Sequence, residues 1–311
     1  MSQAHLAPDE YHGHDHDFAP TDFGRAFAIA SVLNIALVVA QVVFGVLANS
    51  VALIADAGHN LGDVLGLLLA WGAHGMARLQ PTKRYTYGFR SASILAALFN
   101  GIVLMVATGA IAWEALRRLT GTADVGGVTV MIVAAIGIVV NGISAWLLMA
   151  GRRGDLNVRG AFLHLLGDAA ISFGVVVAGA VIYATGWNQL DPLASLVISV
   201  LIVWGTWGLL REAIMMSLDA VPQGIDRSRV EDYLRGLPGV TEVHDLHIWA
   251  MSTTETAMTA HLVRPGAGLD DRLLHEICHE LDHRFRISHA TLQVEAGDTE
   301  QACRLAPDHV I

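Results

Sequence analysis

Six long apolar segments, separated by connectors that carry most of the charge, leave this chain little choice of solvent. They run approximately over residues 25–48, 51–74, 93–116, 125–150, 160–184 and 190–217. Each is near the roughly 20 residues that a helix needs to cross a bilayer core. Lipid offers the backbone no hydrogen-bond partner, so each run must satisfy its own amides, and six transmembrane helices are expected. The chain is 53% hydrophobic and only 15% charged, outside the range of ordinary soluble domains. The first run does not read as a signal peptide. It follows an acidic, His-containing leader, has no basic n-region or small-residue cleavage site, and leads straight into a second run.

Orientation follows from Lys and Arg in the short connectors. Arg78, Lys83, Arg84 and Arg90 follow the second segment, and Arg152, Arg153 and Arg159 follow the fourth, which places both connectors in the cytoplasm. Asn49-Ser50 and Thr185-Gly186-Trp187-Asn188-Gln189 hold no basic residue and are expected outside, with both termini inside. Arg117 and Arg118 run against the pattern, and are read as snorkelling from the last turn of the third segment. The net charge of −10 opposes nucleic-acid binding and suits a chain that handles cations. Cys278 and Cys303 are too few for a disulfide framework.

Two of the apolar segments share one polar pattern, His59-Asn60-Leu61-Gly62-Asp63 and His164-Leu165-Leu166-Gly167-Asp168. Residues i and i+4 lie on one helix face, so each segment directs an imidazole and a carboxylate to a common point. Together they offer two nitrogens and two oxygens, a donor set suited to a tetrahedral divalent ion and above all to zinc. An Asp at membrane depth costs roughly 2.5–3.5 kcal/mol on insertion scales, and such residues usually line a bundle interior or an ion path. Near neutral pH protons compete with a metal for the imidazole nitrogen, whose reference pKa is about 6.5, which gives a route to exchange. Asp56, two turns before Asp63, either guides metal release or caps the helix start. Asn34, Asn100 and Asn141 are expected to hydrogen-bond between helices.

After Val221-Pro222 the pattern turns to short mixed elements. A helix is expected over 226–236, strands over 240–250 and 254–264, a helix over 270–286 and a strand over 289–295, an α+β sandwich of a small sheet and two helices. Strand alternation puts His244 on one face with Leu246, His261 with Thr259, and Glu295 with Gln293, Thr291 and His289. The second helix holds His275-Glu276-Ile277-Cys278-His279, overlapping a second H-E-x-x-H at His279–His283, the pattern of zinc proteases. Its apolar stripe is Leu274, Ile277, Cys278, Leu281 and Phe285, which sends these histidines to the solvent side, whereas a protease needs them walled into a cleft. A membrane-anchored zinc metalloprotease and a non-transporting metal sensor are the rival readings.

Four blocks stand in order along nearly the whole length: Asn49-Ser50-Val51-Ala52-Leu53-Ile54-Ala55-Asp56-Ala57-Gly58-His59 leading into Asp63, Tyr87-Gly88-Phe89-Arg90, Asp155-Leu156-Asn157-Val158-Arg159-Gly160-Ala161-Phe162-Leu163-His164 with Asp168, and His244-Asp245-Leu246-His247-Ile248-Trp249. Together they carry a resemblance to the cation diffusion facilitator family, zinc-transporter type, and within it the bacterial zinc/cobalt/cadmium efflux branch. It implies a homodimer in the bacterial inner membrane. Each protomer would have a disordered leader (1–24), a six-span all-α bundle (25–218), a ferredoxin-like, metallochaperone-like cytoplasmic domain (222–297) and a tail (298–311). It implies export of Zn2+ in exchange for protons and not an enzyme, with the same fold serving Co2+, Cd2+, Mn2+ or Fe2+ as the alternative. The transport site would be His59, Asp63, His164 and Asp168, and His as the first ligand is the variant associated with zinc.

The resemblance further implies a regulatory zinc site at His244, His261, His275 and Glu295, although Gln293 stands where relatives carry histidine. Cys303 and His309 are additional donors nearby in sequence. Arg90 and Asp219 stand where relatives form a charge lock between spans three and six, with a solvated pair as the alternative. His5, His12, His14 and His16 of the leader form a His/Asp tract of a kind that binds metal weakly or merely solvates.

Overall fold

The computed structural model describes residues 24–121, 124–149, 156–266 and 270–297, together with residues 303 and 305. The His tract of the leader and His309 lie outside them. Six long helices come first: α1 (Gly24–Leu47), α2 (Val51–Ala77), α3 (Ala92–Leu119), α4 (Gly127–Leu148), α5 (Leu156–Thr185) and α6 (Leu190–Ser217). Five of them are long and apolar enough to cross a membrane, namely α1 over Ile29–Leu47, α3, α4, α5 and α6. Between them α2 packs on α1, α3 and α6. Val32, Val106, Trp146, Trp204 and Leu209 project outward, a surface that suits lipid and would be a liability in water. Leu53, Leu104, Val130, Ala134, Val175 and Ile198 fill the interior.

Close helix approach here depends on glycine. A Cβ on Gly179 of α5 would lie 2.9 Å from Met131 Cγ and 3.0 Å from the Gly127 carbonyl oxygen of α4, so these two helices meet at backbone distance. The turn into α2 is held as tightly. Asn49 takes the left-handed conformation (φ 54°), and Ser50 accepts from Leu53 N at 3.1 Å as the N-cap. Ser50 Oγ in turn donates to the buried Asp191 of α6 at 2.5 Å, and Asp191 accepts from Val51 N at 2.7 Å. Asp56 therefore does not cap this helix. Arg118 donates to the Asn49 carbonyl and side-chain oxygens at 2.8 and 2.7 Å, which gives this basic residue a fixed partner in place of a free head group.

The expected bridging amides are corrected. Asn34 bonds the carbonyl of Ala30 in its own helix at 3.0 Å, and Asn141 is buried with neither side-chain atom hydrogen-bonded among the described residues. Asn100 lines a cavity. The amide bridge runs instead from Asn60 of α2 to Gln41 of α1, at 3.1 Å.

The C-terminal unit holds α7 (Arg227–Arg235), β1 (Glu242–Ala250), β2 (Thr256–Val263), α8 (Asp271–Phe285) and β3 (His289–Glu295). The sheet order is β1-β2-β3, with β1 antiparallel and β3 parallel to the central β2. Val230, Leu234, Leu246, Ile248, Met258, Leu262, Ile277 and Leu281 close its core. One expectation from strand alternation fails in β1. Asp245 has φ 52° and the register with β2 shifts between His244 and His247, a bulge. The extra residue lets Val243 and Leu246 both enter the core, so His244 parts from Leu246 and pairs across the strands with His261.

Candidate metal centre

The α2 and α5 patterns meet. His59 Nε2 lies 3.1 Å from Asp168 Oδ1, and His164 Nε2 lies 3.0 Å from Asp63 Oδ2, so each imidazole faces the carboxylate of the other helix. Within each helix the pairs are longer, 3.9 Å for His59 to Asp63 and 3.6 Å for His164 to Asp168. One ligand atom from each of the four residues lies within 4.8 Å of all the others, a spacing that a single ion can draw together. The two rings stand edge to face, 5.7 Å between centroids, and His59 Nδ1 is buried without a hydrogen bond among the described residues. Sequence spacing named all four. Their cross-helix pairing was not legible there, because it depends on how α2 and α5 are rotated against each other.

A cavity of about 860 Å³ reaches this group. Its wall includes His59, Asp63 and His164 at one end, and Arg78, Arg90 and Glu255 at the other. Beside the four ligands, away from this cavity, lies a buried polar network. Asp56 is fully buried there, and its Oδ2 accepts from Gln41 Nε2 at 2.5 Å and from Ser172 Oγ at 3.2 Å. Ser172 lies one turn beyond Asp168 and Asn60 one turn beyond Asp56, so this polar network ties the two ligand helices α2 and α5 to Gln41 of α1.

A second group forms in the C-terminal unit from His244, His261, Glu295 and Cys303, again with one ligand atom each within 4.8 Å of the others. His261 Nδ1 is 3.0 Å from Glu295 Oε1 and 3.6 Å from Cys303 Sγ. His244 is buried, its ring nitrogens lie 3.5 Å from carboxylate oxygens of Glu242 and Glu295, and neither makes a hydrogen bond among the described residues. Burial opposes ionisation of Glu295. Hydrogen bonds from Gln293 and Cys303, with the charge of the neighbouring His244 and His261, outweigh it and hold the carboxyl below the usual glutamate range. His275 lies apart from this group, on the exposed face of α8, and Cys303 takes the fourth place. No motif marks that cysteine in the sequence, since a tail beyond the last strand has no periodicity that predicts where it returns.

The H-E-x-x-H residues keep to solvent. His275, Glu276, His279 and His283 are exposed, and Glu276 accepts from Arg272 Nε at 3.1 Å. Cys278, expected in the apolar stripe, is exposed with them. The Arg90–Asp219 lock is corrected. Arg90 makes its ion pair with Glu255 in the loop between β1 and β2, while Asp219 is exposed past the end of α6 in a left-handed conformation (φ 56°).

A family model for the cation efflux transmembrane domain matches residues 27–216, and one for the cation efflux protein cytoplasmic domain matches residues 222–297. The chain belongs to the cation diffusion facilitator family. This is a family of cation transporters and not an enzyme class. Among its relatives, the metal cation efflux system protein CzcD of Cupriavidus metallidurans is 35% identical over 93% of this chain and 92% of its own length. The zinc transporter ZitB of Escherichia coli is 37% identical over 91% of each chain. The cadmium, cobalt and zinc/H(+)-K(+) antiporter of Bacillus subtilis is 32% identical over 91% of this chain and 92% of its own length. The membrane expectation holds for this facilitator as a multi-pass helical protein with a small C-terminal sheet unit.

Proposed function

We propose that this facilitator exports Zn2+ from the cytoplasm in exchange for protons, through His59, Asp63, His164 and Asp168. One observation carries the reading: two His-x-x-x-Asp pairs from different helices bring four donors within 4.8 Å of one another at the wall of a cavity. The names of ZitB and of the Bacillus antiporter agree with it. Six spans, α1 to α6, cross the bacterial inner membrane, with both termini and the C-terminal unit in the cytoplasm. That orientation puts the cavity on the cytoplasmic side. The domain borders proposed from sequence, 25–218 for the bundle and 222–297 for a ferredoxin-like cytoplasmic unit, accompany this reading.

The exchange follows from the pairing. Each imidazole faces a carboxylate of the other helix at about hydrogen-bond distance, so a proton on each ring bridges the same groups that an ion bridges when bound. Two carboxylates with one Zn2+, and two carboxylates with two imidazolium groups, carry the same net charge. The site can thus trade metal for protons without placing an unbalanced charge at membrane depth. Alternating access then presents it to either side by rocking of packed helices.

The second group, His244, His261, Glu295 and Cys303, fits a regulatory zinc. Its donors are two nitrogens, a carboxylate oxygen and a sulfur, and one ring nitrogen of His244, unpartnered among the described residues, is free to take a bound ion. His275 serves this site only from outside the cluster, through rearrangement or a partner protomer of a homodimer. The deciding experiment is flux of Zn2+, Cd2+ and Co2+ into proteoliposomes under an imposed pH gradient. Gradient-driven zinc uptake is expected, and its absence in folded, reconstituted protein would end the transport reading.

A further inference from the structure

We infer that the loop between β1 and β2 is a latch on the cytoplasmic mouth, closed while the metal site faces the cytoplasm and released once in each transport cycle. The inference rests on the transport reading above. Residues 251–255 form a self-braced tip: Met251 N donates to the Glu255 carbonyl at 2.9 Å, and Ser252 Oγ accepts from the amides of Thr254 and Glu255 at 3.2 and 3.0 Å. A tip bonded in this way moves as one piece with its two strands.

Three separate contacts hold it to the end of the connector between α2 and α3 and to the first turn of α3. Arg90 pairs with Glu255, Ser91 Oγ donates to the Met251 carbonyl at 3.3 Å, and Thr253 N donates to Ser93 Oγ at 3.1 Å. Tyr87 adds an edge-to-face contact with His289 of β3, 5.7 Å between centroids. Arg90 and Ser252–Glu255 also line the cavity whose far wall holds His59, Asp63 and His164. The latched arrangement therefore coincides with a cavity that runs from the loop to the site.

Its chemistry suits cation entry. An unpaired guanidinium at the mouth would repel a divalent cation, and Glu255 cancels that charge only while the latch is closed. Release of Glu255 uncovers Arg90 and sets a positive charge at the mouth, which disfavours re-entry from the cytoplasm. The two halves of the cycle thus differ in the charge that the incoming ion meets.

The test bridges Ser93 and Thr253. In a Cys278→Ser background that retains Cys303, a Ser93→Cys, Thr253→Cys protein is cross-linked by oxidation or by a short bis-methanethiosulfonate reagent, with the link between positions 93 and 253 scored by mass spectrometry and the identically treated Cys278→Ser protein as reference. Zinc–proton exchange in proteoliposomes should fall at least tenfold on cross-linking and return on reduction, while zinc binding by the cross-linked protein persists. Exchange within twofold of the reduced protein, or failure of both reagents to link the pair, overturns the latch. No exchange in either the reduced or the wild-type protein counts against the transport reading itself, and the latch falls with it. A second set of variants does not depend on the cysteines. Arg90→Glu and Glu255→Arg should each slow exchange severalfold, Glu255→Arg should also raise the zinc concentration for half-maximal rate because it doubles the positive charge at the mouth, and the double swap should recover most of both; equal defects in single and double variants overturn the proposal.

Discussion

His59 and Asp168 face each other at 3.1 Å, and His164 and Asp63 at 3.0 Å, so loss of any one ligand leaves its cross-helix partner with only the longer pair within its own helix. Alanine at His59, Asp63, His164 or Asp168 is expected to abolish zinc flux in protein that still folds, because three remaining ligands do not offset dehydration of the ion. Wild-type flux from any one of these variants would remove the site assignment. His59→Asp exchanges a nitrogen donor for a harder oxygen, and the ranking of metals in the same assay should shift away from zinc. The spacing of these residues was readable in sequence because a helix has a fixed period. Asp56 was not readable, since its partners Gln41 and Ser172 come from other helices and only packing decides that it is enclosed and not a cap.

The helices themselves were legible because long apolar runs must satisfy their own amides, and five of the six are long and apolar enough to cross a membrane. The six apolar segments expected from sequence end within a few residues of α1 to α6. The bulge at Asp245 was hidden, because strict alternation describes β1 well until two core residues, Val243 and Leu246, fall at odd spacing. At the α4–α5 contact, Gly179→Val should destabilise the detergent-solubilised protein by about 1–3 kcal/mol through overpacking, seen as a lower Tm. Gly174→Ala, where an added Cβ meets nothing within 4 Å, should leave Tm nearly unchanged, and equal effects would contradict the packing account. In β3 the carboxyl of Glu295 ionises below its usual value. Its contribution to stability is therefore complete above the ordinary glutamate pKa of about 4.3 and is lost as the pH falls through the lowered folded value. Acid unfolding of Glu295→Gln should lack that part of the pH dependence, and identical acid transitions in the two proteins would show that the carboxylate is not held by its neighbours.

On the scale of the whole molecule, two donor clusters stand in two units of one chain, and their chemistry supports the different work proposed for them. The cluster in the bundle is linked to a cavity, whereas the cluster of the C-terminal unit includes a cysteine and two nearly buried histidines, as a retained ion would need. The exposed H-E-x-x-H face of α8 belongs to neither. Glu276→Gln should leave flux nearly intact, and a dead but folded variant would revive hydrolytic chemistry for this helix. If zinc at the C-terminal cluster tunes transport by favouring one arrangement of two protomers, it must bind that arrangement more tightly than the other. Replacement of His244, His261 and Glu295 by Ala should then retain measurable exchange but flatten its dependence on cytoplasmic zinc. Fluorophores attached through an introduced ketone side chain at position 235 of both protomers should approach on zinc addition in the wild type and hardly move in the triple variant. If the labels approach equally in both proteins and the zinc response is unaltered, the cluster is an ordinary buried polar group and regulation by it is ruled out.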